Sequence, residues 1–196
     1  GKSVFTAELE DALLKHHIDL AVHSLKDLPM NLMDDLIYVG SPDREDARDV
    51  FVSNKWKKIS EIPENGIIAT GSIRRKAQLL AHRPDLNVQG LRGNIDTRLK
   101  KLEEHGWDGI ITAAAAMHRL GLQNRISEYL DHENHVPAAG QGALGLEIDS
   151  KNENLKKTLN RVIDKEITSC CKAERLFLTK MEGGCQSPIG CFARMD

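Results

Sequence analysis

The chain has 196 residues, of which 40% are hydrophobic and 29% are charged, and its formal net charge is −2 at pH 7. These values are typical of soluble globular protein with one large or two small domains, and they argue against DNA or an anionic membrane as the main partner. No run of residues is apolar for long enough to cross a membrane, and no stretch has the layout of a signal peptide. The sequence begins with Gly-Lys-Ser and no Met, which we interpret as the start of a fragment.

The first predicted elements are a helix and a buried strand. Thr6 is predicted to cap a helix that carries leucines on one face. The mostly apolar residues 18–22 predict a buried strand that ends at His23-Ser24. Pro29 and the turn-rich residues 41–43 then interrupt the pattern, so this part of the chain has too few strands to close a sheet by itself.

Strands and helices alternate through the middle of the chain. Ser72 is predicted to cap a helix that stops at Arg83-Pro84, and Asp96 to cap the next helix, which Gly106 closes. The predicted strands cover residues 67–70, 86–89 and 108–112, and the predicted helices cover residues 72–82, 97–104 and 113–120. This alternation predicts a mostly parallel α/β sheet.

A glycine-rich segment, residues 138–143, leads into a predicted strand over residues 144–148. We interpret that strand as a return to the first unit, because the first unit lacks strands. Two further helices are predicted over residues 153–163 and 166–181. The predicted domains are therefore an incomplete first domain of residues 1–41 and 142–160, a second of residues 47–136, and the start of a third over residues 163–196.

Arginine is concentrated in residues 69–98. This segment carries six basic and two acidic side chains, so its net charge is +4 in a chain whose total is −2. Guanidinium is a planar fork of donors that matches the geometry of carboxylate and phosphate. The sequence therefore predicts an anionic ligand bound near helix N-termini in the middle of the chain.

Two of these arginines, Arg92 and Arg98, flank a turn at a predicted helix N-terminus, where free N–H groups and the helix dipole favour anions. The alternative is that arginines of the segment cap helices or pair with Asp85 and Asp96. We expect such a structural role for Arg83, which precedes a proline at a helix end. We do not expect it for the other four, which are Arg74, Arg75, Arg92 and Arg98.

Polar residues also follow the first predicted strand. Ser24, Lys26 and Asp27 come directly after it, and α/β sheets bind ligands at the carboxyl ends of their strands. A carboxylate there could stabilise positive charge that develops in a reaction. The alternative is that Lys26 and Asp27 form a solvated loop pair, because charges in loops usually contribute little. The residues alone leave both readings open.

The chain has four cysteines, none in a CxxC motif. This pattern is not a disulfide framework, and it predicts a reducing compartment, which we take to be the cytoplasm. Cys170 and Cys171 fall in a predicted helix and are expected to be small buried hydrophobes, as Cys commonly is. Cys185 follows two glycines in a predicted loop, so it is either a structural thiol or an attachment point or nucleophile. The fourth cysteine, Cys191, has no assigned role.

The histidines do not predict a metal site. His16 and His17 are adjacent, which on a helix directs the side chains about 100° apart. His132 and His135 lack a companion cysteine or acidic helix. No metal is therefore expected.

Six separated motifs carry a resemblance to a known family. They are residues 21–29 (AVHSLKDLP), 44–49 (REDARD), 70–75 (TGSIRR), 91–99 (LRGNIDTRL), 137–143 (PAAGQGA) and 182–186 (EGGCQ). Together and in this order they strongly resemble the porphobilinogen deaminase family, also called hydroxymethylbilane synthase, of tetrapyrrole (haem) biosynthesis. The resemblance spans essentially the whole chain.

The resemblance implies a transferase that joins four porphobilinogen molecules head to tail, loses an ammonia each time, and releases the linear tetrapyrrole hydroxymethylbilane. It implies a dipyrromethane cofactor bound to Cys185 through a thioether, with Asp27 and Lys26 as catalytic residues and Arg98 and Arg119 in substrate binding. The further residues that it implies in cofactor binding are Ser24, Lys26, Ser72, Arg74, Arg75, Arg92, Arg98 and Gln141. No partner is implied other than porphobilinogen, and the expected state is a monomer that binds neither nucleic acid nor membrane.

The implied fold is α/β, with two periplasmic-binding-protein-like lobes around a central cleft and the start of a small third α+β domain. Two departures from the family stand out. Gly71 replaces a serine that usually precedes the paired arginines, so one hydroxyl donor is lost. The family's N-terminal segment and most of its third domain are not in this sequence, so the activity of this chain alone is an open question.

Two other functions compete with the enzyme. A non-catalytic two-lobed binding protein for a small carboxylate or phosphate could use the same arginines and helix N-termini. A cysteine hydrolase would need a base near Cys185, and the sequence shows none. Asp27 and the Gly-Gly loop before Cys185 favour the enzyme.

Overall fold

The computed structural model describes residues 4–181 and 188–195. Their helices are α1 (Val4–Leu14), α2 (Ile73–His82), α3 (Ile95–Glu104), α4 (Ala114–Arg119), α5 (Glu153–Leu159) and α6 (Lys165–Lys180). Their strands are β1 (Ala21–Ser24), β2 (Leu36–Gly40), β3 (Asp49–Val52), β4 (Ile67–Ala69), β5 (Asn87–Gln89), β6 (Gly109–Ala113), β7 (Glu128–Tyr129) and β8 (Leu144–Asp149). The described residues form two compact units: unit 1 holds residues 4–45, 139–181 and 191–195, and unit 2 holds residues 46–138 and 188–190.

The sheet of unit 1 has the order β1-β8-β2, and β8 runs antiparallel to both neighbours. The strand after the glycine-rich segment therefore does return to the first unit, as its sequence indicated. The prediction of mostly parallel pairing concerned the middle of the chain, and the pairing in unit 1 is antiparallel. No helical crossover joins β1 to β2. The strand between them, β8, comes from the part of the chain that follows unit 2 in the sequence. The separate third domain from residue 163 stays a prediction, and α6 belongs to unit 1.

The sheet of unit 2 has the order β5-β4-β6-β3-β7. The predicted strands β4, β5 and β6 are present and mutually parallel, because helices connect them. The two remaining strands, β3 and β7, were not predicted, and they add an antiparallel edge.

Helices cover both faces of this sheet, and alternate residues of its central strands enter two apolar clusters. Val50 and Ile110 pack with leucines of α3, whereas Phe51 and Ile111 pack with Leu79 of α2. All residues of β3 and β6 are buried. A strand that is buried on both faces usually has a continuous apolar sequence, as β3 does after Asp49.

The helix ends show which capping predictions hold. Ser72 caps α2 by accepting a hydrogen bond from the N–H of Arg75, as predicted. The cap of α3 is Asn94, whose side chain accepts from the N–H of Thr97 at 2.9 Å. Asp96 lies in the first turn, where a carboxylate meets the positive end of the dipole but does not cap. Thr6 lies within α1 and does not begin it.

None of the helices in the described part of the chain combines the length and the apolar character needed to cross a bilayer.

Candidate functional site

In unit 1, the candidate catalytic residues lie on a tight turn after β1. A 3-10 turn over Leu25–Asp27 follows Ser24, and its Leu25 N–H donates to the carbonyl of Ala143 at 3.0 Å. Leu25 is fully buried, while Ser24 and Asp27 are exposed and Lys26 is partly buried. The turn is therefore anchored by its leucine and presents its polar residues outward. This exposure fits either of the two readings of Lys26 and Asp27.

Glycines let this turn approach the segment that carries Gln141. A Cβ on Gly140 would stand 2.8 Å from Cγ of Leu25, and one on Gly145 would stand 2.9 Å from Cδ1 of the same leucine. The φ of Gly140 is also +73°, which favours glycine. The structure thus brings Ser24, Lys26 and Asp27 next to the turn that carries Gln141. Gln141 itself is only 1% exposed.

A buried hydrogen bond between two side chains lies directly before this turn. His23 Nε2 is 2.8 Å from Glu147 Oε2, which joins β1 to β8, and both side chains are almost inaccessible. Oε1 of Glu147 is buried with no hydrogen-bond partner among the described residues. His23 belongs to the motif at residues 21–29, but no spacing in the sequence connects it to Glu147, which is 124 residues away.

In unit 2, Arg74 and Arg75 both bind one carboxylate, Asp49. Arg74 Nη1 donates to Asp49 at 2.8 Å, and Arg75 donates through Nε at 3.0 Å and Nη2 at 2.8 Å. The three residues are between 0% and 6% exposed. As expected, neither arginine pairs with Asp85 or Asp96, but both have a structural partner in Asp49, which the sequence did not indicate. Asp49 begins the unpredicted strand β3, and no local spacing points to it.

Two guanidinium groups face the one carboxylate of Asp49 in this cluster. Burial alone would raise the pKa of Asp49, but the charges of Arg75 and Arg74 outweigh it and hold that pKa well below its usual range. Burial lowers the pKa of Arg74. Nη1 of Arg74 also donates to the carbonyl of Val136 at 2.6 Å, while its Nε is buried with no hydrogen-bond partner among the described residues.

Arg83 has the structural role that the sequence predicted. It binds Asp85 through Nε at 2.8 Å and Nη2 at 2.6 Å, and it also donates to the carbonyls of Ile59 and Ile62. Its guanidinium therefore ties the end of α2 to the segment that precedes β4. This arginine is not available to a ligand.

The loops after β4 and β5 meet at one edge of the unit 2 sheet, because these strands are parallel. A Cβ on Gly71 would stand 2.3 Å from the carbonyl oxygen of Leu91, so the two loops touch there. A serine at position 71 would force one loop to move. Gly71 thus allows the close contact between the two loops that carry Ser72 and Arg92.

Arg92 and Arg98 lie around the N-terminus of α3. Arg92 is exposed, and Arg98 is partly buried and donates through Nε to the carbonyl of Gly93 at 2.8 Å. Gly93 has a φ of +117°, which turns the backbone back over the helix. Arg119 is exposed in the last turn of α4. The touching loops of unit 2 therefore bring the backbone at Ser72 close to that at Arg92, and Arg98 lies one turn further on, in α3.

The prediction that Cys170 and Cys171 are buried in a helix is confirmed. Cys185 lies outside the described residues. Cys170 and Cys171 are buried in α6, and burial raises the pKa of the Cys171 thiol to about 11. Burial also raises the pKa of Cys191. In the part of the chain that the structure describes, no group of three His, Cys, Asp or Glu side chains is arranged to hold a metal ion.

Comparison with solved structures defines the class of fold. A putative methionine-binding lipoprotein from Bacillus subtilis matches with a TM-score of 0.54 over 83% of this chain and 77% of its own, at 12% identity. A nutrient binding protein from Burkholderia cenocepacia bound to methionine matches with a TM-score of 0.52 over 88% of this chain and 79% of its own, also at 12% identity. The fold is thus the α/β type of periplasmic binding proteins, and at this identity the likeness concerns the fold alone.

Sequence comparison then gives the family. Residues 1–157 match the family model described as porphobilinogen deaminase, dipyromethane cofactor binding domain, and residues 168–196 match the model of the C-terminal domain. Porphobilinogen deaminases from Staphylococcus carnosus and Geobacillus kaustophilus are each 47% identical over 100% of this chain. The chain belongs to the porphobilinogen deaminase family. It spans 64% and 63% of the length of these two relatives.

Proposed function

We propose that the protein is a porphobilinogen deaminase, a transferase that joins four porphobilinogen molecules head to tail and releases hydroxymethylbilane. Membership of the family supports this activity. The observation in the structure that carries it is the basic edge of unit 2, where the loops of Ser72 and Arg92 touch. Each porphobilinogen brings an acetate and a propionate group, so a growing chain of pyrroles needs many guanidinium partners.

The described residues fit the dipyrromethane cofactor that the family implies. This group carries four carboxylates, and the arginines that flank the touching loops offer exposed or partly exposed donors at Arg92 and Arg98. The guanidinium groups of Arg74 and Arg75, in the first turn of the helix that Ser72 caps, add positive charge at the same edge. We assign cofactor binding in unit 2 to Ser72, Arg74, Arg75, Arg92 and Arg98, and in unit 1 to Ser24, Lys26 and Gln141. When bound through Cys185, the cofactor supplies the pyrrole carbon to which incoming substrate is added.

Other residues act on the substrate. Arg98 and Arg119 would bind its carboxylates. Asp27 would stand by the substrate pyrrole as a carboxylate and stabilise the positive charge that develops when ammonia leaves. Lys26, beside it on the same turn, would pair with an acidic group of the bound pyrroles. The protein would therefore supply position and charge rather than a nucleophile of its own.

Replacing Asp27 tests this role in the full-length enzyme. Asp27→Asn keeps the size and a hydrogen bond but removes the negative charge, so the turnover rate should fall by about 10²–10³-fold. The measurement is steady-state turnover of porphobilinogen by protein with a known fraction of bound cofactor. Asp34→Asn is the matched control, because Asp34 is also exposed in unit 1 and has no assigned role. Near-normal turnover in Asp27→Asn would remove this residue from the mechanism.

The intact mass of the purified full-length protein tests the function as a whole. A porphobilinogen deaminase should exceed its sequence mass by the mass of two joined pyrroles, whereas a binding protein for a small anion should match its sequence mass. A mass equal to the sequence, together with no consumption of porphobilinogen, would overturn the proposal.

We also propose that the protein is a cytoplasmic monomer that binds neither nucleic acid nor membrane. The thiols of Cys170, Cys171 and Cys191 are free, which supports a reducing compartment. Light scattering after size-exclusion chromatography would measure the mass in solution, and a dimer would contradict the proposed state.

A further inference from the structure

One buried carboxylate in unit 1, that of Glu174 on α6, has an unusually full set of partners. Oε1 accepts from Arg44 Nη1 at 2.7 Å and from the N–H of Ala193 at 2.8 Å. Oε2 accepts from Arg44 Nη2 at 3.0 Å and from the N–H of Gly140 at 2.7 Å. Glu174 is 0% exposed, so all of these bonds form away from water.

Its guanidinium partner extends the same network. Arg44 Nε donates to the carbonyl of Gln141 at 3.0 Å, and the ring of Phe192 covers the guanidinium at 5.0 Å from the ring centroid. The backbone of Arg44 forms an antiparallel bridge with Ala143. One ion pair therefore holds three separate segments, around residues 44, 140 and 193.

Each of these segments lies beside a point where the chain passes between the two units. The chain leaves unit 1 after residue 45, returns to it at residue 139, and returns again at residue 191. Arg44 lies one residue before the first of these points, Gly140 one residue after the second, and Ala193 two residues after the last. The partners of Glu174 thus lie close in sequence to the points where the chain passes from one unit to the other.

Stability alone is a weak reason for such a pair. Removing two charges from water costs about as much as their attraction returns, and apolar replacements of buried ion pairs are often neutral or stabilising. Backbone N–H groups that point at a fixed carboxylate do, however, fix the course of the chain. The arrangement is therefore suited to define geometry.

We propose that Glu174 is a positioning residue that, with Arg44, fixes the turn at 140–141 and the segment at 192–193 for cofactor attachment. The inference rests on the proposed function, since Gln141 is assigned to the cofactor. This contact joins α6, which precedes Cys185 in the sequence, to residues 192–193, which follow it.

The test compares Glu174→Gln, Glu174→Asp and Arg44→Lys in the full-length protein. In Glu174→Gln, amide exchange at Gly140 and Ala193 should accelerate by about 10-fold or more, because each loses a charged acceptor. The fraction of protein that carries the cofactor mass should fall with it. Glu174→Asp keeps the charge for Arg44 but is one methylene shorter. The melting temperature of Glu174→Asp should therefore be close to that of the wild type. Its amide exchange at Gly140 and Ala193 should still be fast, and its fraction of cofactor-loaded protein should still be low.

Glu153→Gln is the matched control, because Glu153 makes an exposed pair with Lys156 in the same unit and should change none of these readouts. Arg44→Lys keeps the Glu174 carboxylate and its hydrogen bonds from the N–H groups of Gly140 and Ala193. Amide exchange at Ala193 should therefore be slower in Arg44→Lys than in Glu174→Gln, and this comparison holds even when Glu174→Gln folds poorly. Unchanged exchange at both amides in Glu174→Gln and Glu174→Asp would overturn the inference, as would loading that merely follows melting temperature across all variants. If the wild type carries no cofactor mass, the proposed function fails, while amide exchange still decides whether Glu174 fixes the two segments.

Discussion

Asp49→Asn should lower the free energy of unfolding of unit 2 by roughly 3–5 kcal/mol, the cost typical of removing one partner from a buried ion pair. The substitution keeps the shape of the side chain but leaves Arg74 and Arg75 buried without a counter-charge. It also places an amide N–H₂ against guanidinium donors, so at least one hydrogen bond is lost. Urea denaturation at pH 7, followed by a probe within unit 2, measures the change.

The same residue gives a dependence on pH with a defined sign. The pKa of Asp49 is lower in the folded protein than in the unfolded chain. Its contribution is therefore complete above the unfolded value of about 4, and it is lost progressively as the pH falls from there towards the lower folded pKa. The difference in stability between wild type and Asp49→Asn should accordingly shrink between about pH 4 and pH 2.

Asp85→Asn is the matched control, because Asp85 pairs with Arg83 at the protein surface. Water screens and solvates that pair, so its loss should leave the unfolding of unit 2 close to wild type. A stability of Asp49→Asn equal to that of Asp85→Asn would show that the buried cluster does not hold unit 2 together.

The sequence predicted the fold best where helices and strands alternate. The pattern around α2, α3 and α4 combines caps, periodic leucines and short apolar strands, and these signals agree with one another. By contrast, β3 has only four residues, the first of which is charged, and β7 has only two, too few for any period to show. The direction of β8 could not be read either, because its partners are set by how the chain returns from unit 2.

The candidate site shows a similar division. The excess of arginine in residues 69–98 predicted a basic site, because charge is a property of composition. The partner of Arg74 is 25 residues away and that of Arg44 is 130 residues away, and no spacing in the sequence connects such pairs. Asp96 was predicted to cap α3, but Asn94 is the cap in the structure. Both residue types are good N-caps, and the residue at which the helical backbone begins decides which of them accepts the hydrogen bond.

The described cysteines narrow the choice of attachment site. A thioether forms from the thiolate, and a thiol whose pKa is raised by burial supplies little thiolate at neutral pH. Burial raises the pKa of Cys171 to about 11 and raises that of Cys191 as well. Cys170 is 8% exposed and faces the interior from α6. Each of these three is a poor place to attach a cofactor with four carboxylates.

Cys185→Ser should therefore give a folded full-length protein that lacks the cofactor mass and has almost no activity. Serine keeps the size, but its hydroxyl is a far weaker nucleophile than a thiolate, so the covalent bond should not form. Intact mass measures loading directly, and circular dichroism checks that the variant folds. Cys170→Ser and Cys171→Ser are the controls, since a buried hydroxyl should cost some stability but leave the added mass in place. Normal loading of Cys185→Ser, or cofactor found on Cys170, Cys171 or Cys191, would show that the attachment site is wrong, because only one thiol can carry the primer.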